Sequence, residues 1–330
     1  MTSLQPGPSE QTLMLIGGSG FFGKSFLDAF SRGALAPWRI REIIVVARHA
    51  SALATAHPEL MSPGLRLLDA DVSRCSILPK ADLVIHAATS SDARRYVTNA
   101  ESERANILAS VENFKRIART DLAAARILYT SSGAVYGQQP DTVTHIDETS
   151  AFGDVDDMVA YKRDYAEAKR EVERQIARLG NDGFKVAIAR CFAFVGVYLP
   201  RDQHFAIGNF IAAGVAGRPI TVHARHPVYR SYMHADDLVR WLMTMVTAAD
   251  VTCPVFNVGS DESLTVQEIA LTAADVFRTT AEIPALASDA ADRYVPSVAK
   301  ARRQLGLEIS FTVEQSLRRI MSRLIGVTIP

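Results

Sequence analysis

Three polar side chains in this 330-residue chain are spaced for proton-transfer chemistry. Arg126-Ile-Leu-Tyr-Thr-Ser-Ser132 has the pattern of a buried strand ending in two hydroxyls, Ser131 and Ser132. Downstream, Tyr165-Ala-Glu-Ala-Lys169 lies in a stretch of helical periodicity, where the i, i+4 spacing sets phenol and ammonium on one face. A cation beside a phenol favours the phenolate and draws its usual pKa of ~10 toward working pH. The Ser132 hydroxyl then holds a substrate oxygen while Tyr165 exchanges a proton with it. Standing alone, a Tyr-x-x-x-Lys spacing is only an amphipathic helix edge. Its context makes it chemical.

That context begins at Ile16-Gly-Gly-Ser-Gly-Phe-Phe-Gly23, directly after the apolar run Thr12–Ile16. Gly17, Gly20 and Gly23 recur every three residues where a buried strand turns into a helix. The first two, lacking Cβ, let the backbone turn tightly and approach a pyrophosphate. The third lets the helix pack on the sheet, with its N-terminal N–H groups facing the anion. Phe22, Phe26, Leu27 and Phe30 supply the apolar face of that helix.

These residues need a scaffold, and the apolar pattern supplies one. Strands are predicted at 12–17, 42–47, 65–69, 83–88, 126–131 and 185–190, with helices between them, notably 101–119 and 157–179. Such alternation implies an α/β fold with a Rossmann-like, doubly wound parallel sheet over residues 11–190. Beyond Arg190 the elements shorten: a strand near 217–222, a helix at 236–246, a strand at 255–258 and a helix at 265–277. Residues 191–330 therefore read as a smaller, mixed substrate-binding lobe whose elements return to complete the sheet.

Composition narrows the partners. Hydrophobic residues make up 48% and charged ones 22%, enough for a full core. With 36 basic and 36 acidic side chains the formal charge is zero, which offers no field for nucleic acid or an anionic membrane. No apolar stretch reaches membrane-spanning length, and residues 1–10 read as a polar tail without an export signal, so a cytoplasmic location is expected. Cys75, Cys191 and Cys253 are widely spaced and odd in number, fitting small hydrophobes in a reducing compartment. His86 and His234 sit in apolar surroundings without a second ligand at metal spacing; they read as hydrogen-bonded core histidines, and no metal is expected. Asp236 and Asp237 read as a helix N-cap.

The joint pattern resembles an extended short-chain dehydrogenase/reductase of the NAD-dependent epimerase/dehydratase type, which acts mainly on nucleotide sugars. Besides the glycine loop and the Ser/Tyr/Lys set, Leu83-Val-Ile-His-Ala-Ala88 is similar to the family's fourth-strand motif under the cofactor. Asp71-Val72 matches its acidic adenine contact, and Asn106 its helical Asn. Arg190–Gly196 and Arg230–Asp237 resemble its sixth strand end and diphosphate-contacting segment, and Phe256–Ser260 and Lys300–Gly306 its C-terminal signatures. The resemblance implies a catalytic set of Ser132, Tyr165 and Lys169. It implies cofactor contacts from Gly17, Gly20, Phe21, Phe22, Gly23, Arg48, Asp71, Val72, Ala87, Ala88, Asn106 and Phe192, together with Tyr165 and Lys169. Substrate contacts would come from Ser132, Arg230 and Arg201, and the partner would be a nucleotide sugar. Many relatives pair the helices 101–119 and 157–179 into a four-helix interface, which implies a homodimer.

Departures from the family pattern shape the expected reaction. Its 4,6-dehydratases place Asp-Glu directly after the catalytic hydroxyl; here Gly133-Ala134 cannot move a proton, which argues against water elimination. Ala193 stands where an Asn often contacts substrate phosphate, and Ala287-Ser-Asp-Ala-Ala-Asp292 replaces an arginine-bearing stretch. The second strand ends in Ala47-Arg48 without the acid that binds a ribose 2′-hydroxyl, so NADP(H) is expected ahead of NAD(H). The preferred reading is hydride transfer at C4 of a nucleotide-activated hexose, as a 4-keto-sugar reductase. A 4-epimerase is the alternative, and a non-catalytic dinucleotide sensor a third.

Overall fold

Seven parallel strands form the centre of the computed structural model, which describes residues 10–88, 93–156, 158–201 and 205–325, apart from the side chains of 93–98 and 100. The N-terminal tail up to residue 9 lies outside the described residues. In chain order the first half contains β1 (Gln11–Ile16), α1 (Phe21–Ser31), β2 (Ile40–Ala47), α2 (Leu53–Ala56), β3 (Leu65–Asp69) and β4 (Leu83–His86). It continues through α3 (Ala93–Asp121), β5 (Arg126–Ser132), α4 (Ala160–Asn181) and β6 (Lys185–Cys191). The remainder contains β7 (Phe194–Val195), α5 (Ala206–Val215), β8 (Ile220–Thr221), β9 (Val228–Arg230), β10 (Met233–His234), α6 (Ala235–Thr247) and β11 (Val255–Val258). After these come β12 (Leu264–Thr265), α7 (Val266–Phe277), β13 (Ala281–Glu282), β14 (Asp292–Tyr294), α8 (Ala299–Leu305) and α9 (Val313–Ile325).

The strand order is β11-β6-β5-β4-β1-β2-β3, and every pairing is parallel. Alternation along β1 shows why it is central. Leu13 and Leu15 enter a core with Phe26 and Leu27 of α1 and Leu238, Trp241 and Leu242 of α6. Met14 and Ile16 enter the opposite core with Val111 and Phe114 of α3 and Val172 and Ile176 of α4. Both faces of the sheet are covered, so its strands are continuous apolar runs. A third core joins α5, α7 and α9 in the C-terminal lobe, where β9 pairs antiparallel with β12 and parallel with β14.

Most predicted elements are present, with informative shifts at their ends. The helix expected at 101–119 is the C-terminal part of α3, which is interrupted at Asn99 by a non-helical conformation. The helix expected from 157 begins at Ala160, and residue 157 lies outside the described residues. The strand expected over 217–222 shrinks to β8, because Gly217 turns the chain at φ 64°. The cap of α6 is His234, whose Nδ1 accepts the Asp236 N–H at 3.1 Å, and not an aspartate. Asp236 and Asp237 occupy the first helical turn. There Asp237 accepts from Arg240 at 2.6 Å and from the Ser310 N–H at 2.8 Å. No described helix is long and apolar enough to cross a membrane.

Candidate active site

At the carboxyl end of the sheet the glycine loop closes on itself. Gly17 has φ 83°, and a Cβ there would lie 2.6–2.7 Å from the Ala87 carbonyl and the Ala88 Cα. No side chain fits. A Cβ on Gly23 would meet the Gly18 backbone at 2.0–2.3 Å, so helix and loop touch through bare backbone. Gly20 differs, because a Cβ would find only the Gly17 carbonyl, at 3.5 Å. The open side of the loop is thus at Gly20, which is also the N-cap of α1 and supplies no capping side chain. Bare N–H groups at the start of an 11-residue helix, beside an open glycine, fit a dinucleotide pyrophosphate.

The other proposed cofactor contacts lie on α1, at the ends of β2 and β4, after β3 and on α3. Phe21 packs toward Gly196, and the Phe22 ring meets Phe194 edge-on at 5.1 Å, fixing the helix start. Ala87 N–H donates to the Ile16 carbonyl, placing Ala87 and Ala88 beside Gly17. Arg48 is exposed just past β2. The Asp71 carboxyl is held below its ordinary range by hydrogen bonding to Ser73, with smaller help from the charges of Arg48 and Arg74. Val72 is buried beside it. Asn106 is exposed on α3. A second Asn, missed in the sequence reading, holds this loop: Asn113 Nδ2 donates to the Val72 and Cys75 carbonyls, each at 2.8 Å. Its signal was its position two helical turns after Asn106.

The catalytic candidates lie at the end of β5 and on α4, with β4 between β5 and the glycine-loop strand β1. Lys169 is 1% exposed, and its Nζ donates to Tyr129 Oη and the Thr130 carbonyl, both at 3.0 Å. Burial pulls its pKa down, while the neighbouring Tyr165, Cys191 and Glu173 oppose that shift. The ammonium lies 5.8 Å from the centre of the Tyr165 ring. Ser132 Oγ accepts the Ala134 N–H at 3.2 Å and faces Tyr294 Oη at 3.4 Å. Tyr294 is the residue that sequence reasoning missed most completely. It arrives on β14, where it is the register partner of Arg230, and its ring packs 4.7 Å from Phe192. Burial pushes its phenol pKa up, so the hydroxyl remains a donor.

This aromatic wall accounts for Gly133. A Cβ there would lie 2.7–2.8 Å from the Phe192 ring and 2.8 Å from Tyr294 Oη, so a side chain fits only if those rings shift. Beneath the site, His86 corrects the expectation of a hydrogen-bonded core histidine. Both ring nitrogens are buried without a hydrogen-bond partner among the described residues. Burial, aided by the Lys169 charge, pushes its pKa down to about 3. One turn past Lys169, Glu173 forms a buried ion pair with Arg190 at 2.8 Å. Arg190 also donates to Tyr136 Oη at 2.9 Å, and Tyr136 to Asn257 Oδ1 at 2.7 Å, tying α4 to β6 and β11.

The proposed substrate contacts are placed less simply. Arg201 is half-buried and donates to the Val197 carbonyl at 3.2 Å. Arg230 lies beside the Tyr294 wall, but its guanidinium is paired with Asp292 at 2.8 Å. Among the described residues no group of three His, Cys, Asp or Glu side chains is placed to hold a metal.

This loop, strand end and helix sit on a Rossmann-like α/β architecture. The family model described as the NAD dependent epimerase/dehydratase family matches residues 13–259, and the chain belongs to that family. It is similar to UDP-glucuronic acid decarboxylase 1 of Arabidopsis thaliana, at 27% identity over 96% of this chain and 70% of that protein. Similarity to UDP-glucuronic acid decarboxylase 6 of the same plant is 26%, over 94% and 87% of the two chains. In fold it resembles the UDP-N-acetylglucosamine 4-epimerase of Methanobrevibacter ruminantium (TM-score 0.79, 15% identity, 97% and 99% coverage). It also resembles the NAD-bound dTDP-glucose 4,6-dehydratase of Streptomyces venezuelae (TM-score 0.73, 20% identity, 96% and 98% coverage).

Proposed function

We propose that this chain is an NAD(P)-dependent enzyme of nucleotide-sugar metabolism that moves a hydride at C4 of a nucleotide-activated hexose, as a 4-keto-sugar reductase. The reading is supported by the Lys169 ammonium 5.8 Å from the Tyr165 ring, by Ser132 at the end of β5 beside Tyr294, and by Gly133-Ala134, which offer no acid or base. When bound, the nicotinamide supplies the hydride to the carbonyl carbon. Ser132 holds the carbonyl oxygen, and Tyr165 gives that oxygen its proton as the alcohol forms. Lys169 stabilises the resulting phenolate through its charge and grips the nicotinamide ribose. Residues 11–190 hold the cofactor, and residues 191–330 mainly cover the substrate.

NADP(H) is our preferred cofactor, on the strength of Ala47-Arg48 at the end of β2 and an exposed Arg48 guanidinium suited to a 2′-phosphate. Fluorescence titration should show tighter binding of NADPH than NADH, and Arg48→Ala should erase about tenfold of that preference. Tighter NADH binding by the wild type refutes it. A homodimer through α3 and α4 is proposed by analogy with the family, and a monomeric mass at micromolar concentration would refute it.

A second reading comes from the relatives. UDP-glucuronic acid decarboxylation and 4-epimerisation both begin with C4 oxidation and use the same hydride-transfer parts. One experiment separates all three: purify the protein, identify retained cofactor, and supply 4-keto sugar nucleotides, UDP-glucuronate and UDP-hexoses. Stoichiometric NADPH consumption with a keto sugar supports the reductase. Release of CO₂, or epimer interconversion without net cofactor use, replaces it.

A further inference from the structure

Arg230 and Asp292 pair diagonally across the β9–β14 ladder, where Asp292 is the register partner of Val228 and Tyr294 that of Arg230. Arg230 Nη2 donates to Asp292 Oδ2 at 2.8 Å and Nη1 to Oδ1 at 3.3 Å. Nη1 also donates to the backbone carbonyls of Tyr229 at 2.8 Å and Asp292 at 3.3 Å. This is the two-pronged arrangement by which a guanidinium recognises a phosphate, here filled from within the chain. The pair is held in place: Arg293, between Asp292 and Tyr294, stacks its guanidinium 3.8 Å from the centre of the Tyr229 ring. Lys162 and His226 also face Asp292, but its principal cationic partner is Arg230.

We propose that Asp292 is an internal competitor for the anion site of Arg230, so that this cleft grips a nucleoside diphosphate weakly by design. The inference rests on the reading of the substrate as a nucleotide-activated sugar. An incoming diphosphate must either displace the carboxylate or share one guanidinium with it. Displacement breaks a charge-assisted pair, and sharing sets like charges side by side; both lower affinity. Asp292 and Tyr294 lie two residues apart on β14, and so on the same side of the strand. Displacing the carboxylate therefore acts on the strand whose phenol faces Ser132.

The test is calorimetric titration of UDP, dTDP and GDP into wild type, Asp292→Asn, Asp292→Ser, Arg230→Gln and the Asp292→Asn/Arg230→Gln double variant. Asp292→Asn keeps an oxygen to accept from Arg230 while removing the charge. It should bind the preferred nucleotide about tenfold tighter than wild type, with Asp292→Ser following in the same direction. In the Arg230→Gln background the gain should vanish. Unchanged or weaker binding by both Asp292 variants overturns the proposal. So does an equal gain without Arg230, or no binding by any variant. A wild type that reduces a keto sugar nucleotide while Asp292→Asn gains nothing refutes this inference alone. A gain in Asp292→Asn with no hydride transfer to any keto sugar refutes the reductase reading and leaves the competitor standing.

Discussion

Lys169 and Arg230 are two cations of the candidate site, and the fold treats them in opposite ways. Lys169 is buried, with its ammonium on a phenol oxygen and a backbone carbonyl. Arg230 has a side chain 23% exposed and is covered by a carboxylate. Burying an ammonium costs desolvation energy, and that burial pulls the Lys169 pKa down against the opposing influence of Tyr165, Cys191 and Glu173. A position so costly makes sense where the charge must act on a neighbour, here the Tyr165 phenol. Arg230 costs little to keep because its charge is already matched. Under the proposed function, the dinucleotide half of the site is thus pre-set, and the substrate half is adjustable.

The comparison breaks first at the pre-set side. Tyr165→Phe should lower kcat at least ~10²-fold, the scale of a lost general acid/base, with KM nearly unchanged. Lys169→Met should act on kcat as well, and should move the basic limb of the pH profile upward. A near-wild-type rate for Tyr165→Phe, measured by nicotinamide absorbance, would relocate the active site. On the adjustable side, Arg230→Gln should raise KM about tenfold while sparing kcat. If kcat fell and KM held, the two cations would not divide as argued.

Stability against pH sharpens the contrast further. His86 has a folded pKa of about 3 against an ordinary 6.5, so the unfolded chain binds its proton first as pH falls. Its contribution is intact above pH 6.5 and is lost between there and pH 3, at about 1.4 kcal/mol per pH unit. Denaturant unfolding of wild type at pH 7, 6 and 5 should show that decline, and His86→Phe should flatten it; equal slopes would refute the assignment. The smallest effect belongs to Tyr294, which touches both halves. Tyr294→Phe keeps the ring on Phe192 but removes the hydroxyl facing Ser132, and a loss of a few-fold in kcat is expected. An unaltered kcat would leave Tyr294 only as part of the wall.

What was legible in the sequence follows the same division. Strand periodicity, the glycine triplet and the Tyr-x-x-x-Lys spacing are local patterns, and local patterns survive in one dimension. Gly17 and Gly23 are required by backbone packed against them, while a Cβ on Gly20 would find only the Gly17 carbonyl. Tyr294 and Asp292 were not legible as site residues, because β14 reaches the cleft only by pairing with β9, more than 60 residues earlier in the chain. His234 went unread as a helix cap, since a ring nitrogen is an uncommon acceptor where Asp is the usual choice. The unpartnered state of His86 was hidden too; it depends on what β1, β5 and α3 place around the ring, and no local signal reports that.

The position of β11 at the edge of the sheet has a kinetic consequence. β6 ends at Cys191, while the strand that covers its open side begins only at Val255. During synthesis the dinucleotide half therefore waits with an apolar strand edge exposed until the intervening segment has emerged. Parallel pairing over such a separation is slow, because loop closure must precede any contact it rewards. An unpaired edge is also a template for other chains. Chaperone dependence should therefore concentrate in the interval before Val258 is available.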